Sequence, residues 1–192
     1  MKKKHIQTGT RKLALSAMFI AIGLVLPFLT GQIPYIASML LPMHIPVLLC
    51  GLICGWKYGL FVGFTLPLLR CGLFGMPAFY SAIAMTFELA TYGAVSGFLY
   101  ARSRWQCVRA LYRCLVAAMI AGRLVWGVVR VLMSGVAGQA FTWKLFLSGA
   151  LLNAIPGIVL QLVLIPVVML ALHKTGMVKF NRESPALSQA EG

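Results

Sequence analysis

Long apolar segments separated by short polar or basic stretches make up most of the chain. There are six of them, at Leu13–Leu29, Met43–Gly55, Tyr58–Leu69, Phe79–Tyr100, Leu115–Met133 and Leu145–Leu172. A helix needs about 20 apolar residues to cross a membrane, which the first and the last three segments provide or approach. The second and third are shorter and are separated only by Gly55-Trp56-Lys57. They form either a re-entrant pair or two short helices, and we predict two helices and six spans in all.

The basic residues give an independent test of this count, because cytoplasmic loops of membrane proteins are enriched in lysine and arginine. With six spans, both termini lie on the side that receives Lys2, Lys3, Lys4, Arg11, Lys12, Lys57, Arg102, Arg104, Arg109, Arg113, Lys174, Lys179 and Arg182. On the other side, the loop Thr30–Pro42 carries no charge and Ser134–Lys144 carries only Lys144. We therefore predict that both termini are cytoplasmic.

The composition agrees with this topology, since 60% of the 192 residues are hydrophobic and a soluble domain of this size is less apolar. We predict an all-α integral membrane protein. Residues 1–12 form a basic N-terminus, residues 13–174 a six-helix membrane domain with an outward-facing cavity, and residues 175–192 a polar tail. The net charge of +14 is spread between the spans rather than gathered in one patch, so we predict no nucleic-acid partner.

The chain offers little conventional catalytic or metal-binding chemistry. Cys50 and Cys54 are one helical turn apart and would suit a metal, but such cysteines more often pack as small apolar groups, so we predict no metal. The sequence contains no GxxxxGK[ST], HExxH or GxSxG motif. We predict that the protein is not an enzyme and has no cofactor. Energy for any active transport would come from another subunit or from an ion gradient.

One carboxylate stands out because the chain has only three acidic residues. Glu88 lies in the fourth apolar segment, whereas Glu183 and Glu191 lie in the tail. A charge at the centre of a bilayer costs at least about 2.5 kcal/mol, so it usually faces a partner or a water-filled cavity. Arg123 of the fifth segment lies at a similar depth if each residue rises about 1.5 Å. We predict that Glu88 and Arg123 pair.

Two interpretations of the remaining intramembrane charges are open. In the first, Arg70, Arg123, Arg130 and Glu88 line an outward-facing cavity in which an arginine that is not neutralised binds an anionic solute. In the second, Glu88 and Arg123 form a structural pair while Arg70 and Arg130 extend to the membrane surface. On the first interpretation, Arg70→Gln and Arg130→Gln leave stability almost unchanged. The other candidate solute-binding residues are His44, Tyr92 and Asn153.

Three segments resemble the substrate-binding S components of energy-coupling factor (ECF) vitamin transporters of prokaryotes. "ALSAMFIAIG" contains Ala17-x-x-x-Ala21, similar to the alanine motif with which such proteins dock on their transmembrane T subunit. "LLPMHIPVLLCGLICGWKYGLFVGFTLPLLRCGLFGMP" and "AIAMTFELATYGAVSGFLY" are similar to the second to fourth helices of a subgroup assigned to pantothenate. The resemblance covers about Arg11 to Lys174.

This resemblance implies a multi-pass protein of a prokaryotic plasma membrane that captures a vitamin-like solute, best matched by pantothenate, from outside. It also implies a T subunit and two cytoplasmic ATPase subunits as partners, with ATP hydrolysed by the ATPases. Two other hypotheses remain. One is a secondary transporter of a small anionic solute, coupled to protons at Glu88. The other is a membrane enzyme with Glu88 as general base, assisted by His44, although no catalytic motif supports it.

The predicted topology can be tested by cysteine accessibility on a cysteine-free background. Single cysteines in the loop Thr30–Pro42 should react with an impermeant thiol reagent in intact cells, because this loop is outside. Single cysteines between Arg102 and Arg113 should react only after permeabilisation. The opposite pattern would reverse the orientation of the chain.

Overall fold

The computed structural model describes residues 9–29, 42–103, 107–136 and 155–174. All regular structure within these ranges is helical. It comprises α1 (Gly9–Leu29), α2 (His44–Cys54), α3 (Trp56–Phe74), α4 (Phe79–Arg102), α5 (Val108–Val136) and α6 (Ile155–Lys174). The all-α prediction is therefore confirmed, and the described residues contain the six helices expected. Asn153, Lys144, nearly all of the loop Thr30–Pro42 and the C-terminal tail lie outside the described residues.

Among the described helices, α1, α4, α5 and α6 are long and apolar enough to cross a membrane. The short second segment forms α2, whose 11 residues span about 16 Å, only half of a hydrocarbon core of about 30 Å. Ten of these 11 residues are buried, so α2 lies inside the bundle and is covered by its neighbours. It packs against α1, α3, α4 and α6.

The break between α2 and α3 lies at Gly55, so the second and third apolar segments form two separate helices. Gly55 has φ of +102°, a backbone conformation that residues with a side chain rarely adopt. Its N–H donates to the Gly51 carbonyl and its carbonyl accepts from Gly59, so both helix ends are closed at this residue. The backbones of α2 and α3 then meet at Gly51 and Gly59, four residues on either side of the break.

Glycines allow α2, α3 and α4 to touch through their backbones. A Cβ built on Gly59 would lie 2.6 Å from both the Gly51 Cα and the Gly93 carbonyl oxygen. A Cβ on Gly97 would lie 2.5 Å from the Gly51 carbonyl oxygen. Gly93 and Gly97 have the small-xxx-small spacing that brings membrane helices into close contact. This glycine contact fixes the depth of α2 relative to α4.

Helix α1 lies at the edge of this group and packs on α2 and α3. Its inner face carries Ser16, Phe19, Gly23 and Pro27, spaced three or four residues apart, and all four are buried. The opposite face is exposed and includes Ala14, Ala17, Met18, Ala21 and Val25.

The glycine contact predicts a difference between two substitutions in α3. Gly59→Ala should lower stability by about 1–3 kcal/mol, because the added methyl group overlaps two backbones that cannot both move away. Gly72→Ala is the matched control, since no atom lies within 4 Å of the position that its added methyl group would take. The control should be neutral or slightly stabilising, because alanine favours helix more than glycine does. Thermal unfolding in detergent measures both, and equal effects would contradict the close contact.

Candidate functional site

Glu88 is the tenth residue of α4 and lies roughly 13 Å along the helix from Phe79. Its side chain is 2% exposed, whereas the preceding Phe87 is 46% exposed. The helix therefore turns the carboxylate inward, toward α2 and α5, and the aromatic ring outward. The inward direction is possible because this face of α4 otherwise carries small or apolar side chains, with Thr86, Leu89 and Gly93 all buried.

The structure brings Glu88 and Arg123 together, as the sequence predicts. Nη1 of Arg123 lies 3.2 Å from Oε1 of Glu88, and the two side chains are 15% and 2% exposed. An arginine beside a buried carboxylate offsets part of the cost of removing both groups from water. The pair joins α4 to α5 near the middle of both helices.

His44 adds a third polar group from α2. Its Nε2 lies 3.6 Å from Oε1 of Glu88, and the imidazole is fully buried. The ring packs edge to face on Tyr92, with centroids 5.0 Å apart. Tyr92 in turn lies beside Glu88 and Arg123 and covers Gly122, where a Cβ would come within 2.8 Å of its ring. We name His44, Glu88, Tyr92 and Arg123 the central cluster.

The central cluster has hydrogen-bonding capacity that the described residues do not use. Within them, Nδ1 of His44 and both Nε and Nη2 of Arg123 have no hydrogen-bond partner, and Nε2 of His44 has only the carboxylate oxygen of Glu88 at 3.6 Å, beyond hydrogen-bond distance. Buried polar atoms are nearly always hydrogen-bonded, and an unsatisfied one costs about 1–3 kcal/mol. So many open positions around one charge pair are typical of a site that a polar ligand or water completes.

Arg130 lies on the same helix as Arg123, two turns closer to Val136. Its guanidinium stacks over Trp126 at 5.3 Å from the ring centroid, and its Nη2 is 3.5 Å from Ser81 Oγ. It is half-buried, and its Nε has no hydrogen-bond partner among the described residues. Arg130 therefore extends the polar surface of α5 away from Glu88 without touching it.

Arg70 has a different environment from the one the sequence suggests. It is 4% exposed, because other parts of the protein cover it, and its Nη1 donates to the carbonyl of Leu24 in α1 at 2.9 Å. The guanidinium lies over the rings of Phe28 and Phe74, at 5.3 and 5.7 Å. Within the described residues, the structure does not bring it into contact with the central cluster. Arg70 joins the ends of α1 and α3, which revises the expectation that its loss would leave stability unchanged.

Gln161 is a candidate that the sequence interpretation missed. It lies on the buried face of α6, which packs on α2 and α5, and is 1% exposed. Its Nε2 has no hydrogen-bond partner among the described residues. The signal was present in the sequence, because an amide inside an apolar span needs a partner. The same argument holds for Asn153, which lies outside the described residues.

The cysteines show no metal site in the part of the chain described. No group of three or more potential ligands from His, Cys, Asp and Glu occurs there. Cys50 is in contact with the hydroxyl of Ser16, at 3.6 Å between Sγ and Oγ. Both Cys50 and Cys54 are buried between α1 and α2. This arrangement favours the packing interpretation.

Comparison with known proteins gives one match. The model of a family described as "ECF transporter, substrate-specific component" matches residues 11–169. No curated protein and no solved structure matches the chain.

The pair predicts non-additive effects in a double-mutant cycle. Glu88→Gln and Arg123→Gln should each lower stability by about 3–5 kcal/mol, since either change leaves an uncompensated buried charge. The double mutant should lose less than the sum, because it buries neither charge. Thermal unfolding in detergent gives the three values, and strictly additive losses would show that the two side chains do not interact.

The contacts of Arg70 with α1 predict that its substitution lowers the stability of the protein without altering the central cluster. Arg70→Gln should cost about 1.5–3 kcal/mol, the range of a hydrogen bond from a charged donor. Arg130→Gln is the comparison and should cost less, because its contact to Ser81 is at the 3.5 Å limit of a hydrogen bond. An Arg70→Gln protein that unfolds at the wild-type temperature would contradict the contact with α1.

Proposed function

Because the chain belongs to the family of substrate-specific components of ECF transporters, we propose that it captures pantothenate from outside a prokaryotic cell for ATP-driven import. A member of this family is a substrate-binding subunit of a transporter and not an enzyme. Its apolar helices make it a multi-pass membrane protein. The proposal concerns the solute, the partners and the orientation.

The central cluster is the observation that supports a solute site most strongly. It joins α2, α4 and α5 in the interior of the bundle, and the described residues leave several of its polar atoms without partners. Pantothenate carries one carboxylate, two hydroxyls and one amide. These groups match the guanidinium, imidazole and phenol groups of Arg123, His44 and Tyr92, with Arg130 and Gln161 as further candidates. Glu88 holds Arg123 in place by charge pairing.

Two residues of the sequence prediction stand apart in this proposal. Asn153 remains a candidate from the sequence alone. Arg70 is held by α1 and contributes to the site only indirectly, by fixing the end of α3.

The proposed partners are a transmembrane T subunit and two cytoplasmic ATPases. Docking on the T subunit would use the exposed face of α1 that contains Ala17 and Ala21. Small residues allow another helix to approach closely, and this face does not pack on the described helices of the chain. With both termini in the cytoplasm, the central cluster would be reached from outside.

Uptake and docking test the proposal together. Cells that express the chain with the T subunit and ATPases should accumulate labelled pantothenate, and the purified chain should bind it. Ala17→Trp or Ala21→Trp should abolish both uptake and co-purification with the T subunit while leaving binding intact, because the indole blocks the helix contact. Val163→Trp is the control for bulk alone, because Val163 is exposed on α6 rather than on α1, and it should leave uptake and co-purification intact.

Three outcomes would change the proposal. Uptake without the ATPases would favour the proton-coupled transporter instead. Normal co-purification of both alanine variants would remove this face of α1 as the docking site. A solute other than pantothenate, retained after mild purification and identified by mass spectrometry, would replace the proposed substrate.

A further inference from the structure

Helix α2 begins in the interior of the bundle rather than at its edge. His44, its first residue, lies 3.6 Å from Glu88, which is itself roughly 13 Å along α4 from Phe79. Pro42, Met43, His44 and Ile45 are all buried. The N-terminus of an 11-residue helix therefore lies at the depth of the central cluster.

This helix end carries a partial positive charge that no described side chain caps. The aligned peptide dipoles place roughly half a positive charge at a helix N-terminus, and the first N–H groups have no partners within the helix. Met43 at the N-cap position makes no side-chain hydrogen bond in the described structure, and the first turn contains no acidic residue. In membrane proteins, such interior helix ends can face the anionic groups of substrates.

Unpartnered polar atoms at the same place point independently to an anion. His44, at the helix end itself, is fully buried; its Nε2 faces Glu88 at 3.6 Å, and its Nδ1 has no hydrogen-bond partner in the described residues. Arg123 uses Nη1 for Glu88, but its Nε and Nη2 likewise have no described partner, although the side chain is only 15% exposed. These two nitrogens have the spacing that binds a carboxylate through two parallel hydrogen bonds. Glu88 neutralises the arginine charge, so the helix end and Arg130 supply the positive charge that a single anion needs.

We infer that the carboxylate or other anionic group of the solute binds between the N-terminus of α2 and the Nε and Nη2 atoms of Arg123. This inference rests on the proposed import function and locates the anion within the site. The competing view is that the helix end only stabilises Glu88.

The experiment compares a carboxylate with a neutral analogue of the same shape. Binding of pantothenate and of pantothenol, in which an alcohol replaces the carboxylate, is measured on the same variants. Arg123→Lys keeps a positive charge for Glu88 but loses the two-pronged donor. It should lower the preference for pantothenate over pantothenol by about tenfold or more, the equivalent of one strong charged hydrogen bond. Arg113→Lys is the matched control, because Arg113 lies on the same helix but is exposed and away from the central cluster, and it should leave this preference unchanged.

A second pair of variants tests the helix end without altering Arg123. Met43→Asp places a negative charge at the N-terminus of α2, where it should compete with the solute carboxylate and weaken pantothenate binding at least about tenfold more than pantothenol binding. Asparagine has the shape of aspartate without its charge. Met43→Asn should therefore weaken the binding of pantothenate and of pantothenol equally. Thermal unfolding confirms that each variant is folded.

The outcomes separate this inference from the choice of pantothenate. If wild type binds neither probe, the proposed solute fails, and propanoate and propanamide at high concentration replace the probes in thermal-shift measurements. Propanoate should then stabilise wild type more than propanamide does, and Arg123→Lys should remove the difference. An unchanged preference in both Arg123→Lys and Met43→Asp, or an equal loss of preference in Arg113→Lys, would overturn the inference.

Discussion

Direct backbone contact between α2, α3 and α4 is the constraint on which the rest of the described structure depends. Gly51, Gly59 and Gly93 lack the side chains that would hold these helices apart, so the three backbones meet. Lipid chains are as apolar as leucine, and association in a membrane therefore relies on close packing rather than on the exclusion of water. Once Gly51 is fixed against α4, the short α2 must begin beside Glu88. The glycine contacts that set the depth of His44 therefore lie seven or more residues away from it in the sequence.

Two nearby positive charges offset the free-energy cost of burying Glu88. Arg123 supplies a full positive charge, with its Nη1 atom 3.2 Å from the carboxylate. The N-terminus of α2, which carries a partial positive charge, also lies nearby. A buried ion pair on its own is weak evidence of stabilisation, since well-packed apolar residues often serve as well. The open hydrogen-bonding positions of His44 and Arg123 therefore favour a site for a ligand over a purely structural pair.

The three intramembrane arginines of the described residues differ in role although they look alike in sequence. Arg70 is enclosed by two phenylalanine rings and bonded to α1, Arg123 is paired with Glu88, and Arg130 is stacked on Trp126. An arginine that is held by aromatic rings and a backbone carbonyl fixes helix ends. One that retains free donors in the interior can bind a solute. This division separates the part of the chain that supports the fold from the part that would recognise the solute.

The sequence by itself determined the helical class, the six helices of the described residues and the pairing of Glu88 with Arg123. The apolar segments and the cost of burying a charge can be read from the order of the residues alone. The depth of each charged residue in the membrane can be counted along its own helix. Only the tertiary structure decided that α2 begins in the interior of the bundle, that Arg70 donates to α1 and that Nε2 of Gln161 is buried without a described partner. Those features depend on which helix faces which and on the rotation of each helix about its axis. Both are set by packing between residues distant in sequence, which a hydrophobic pattern does not encode.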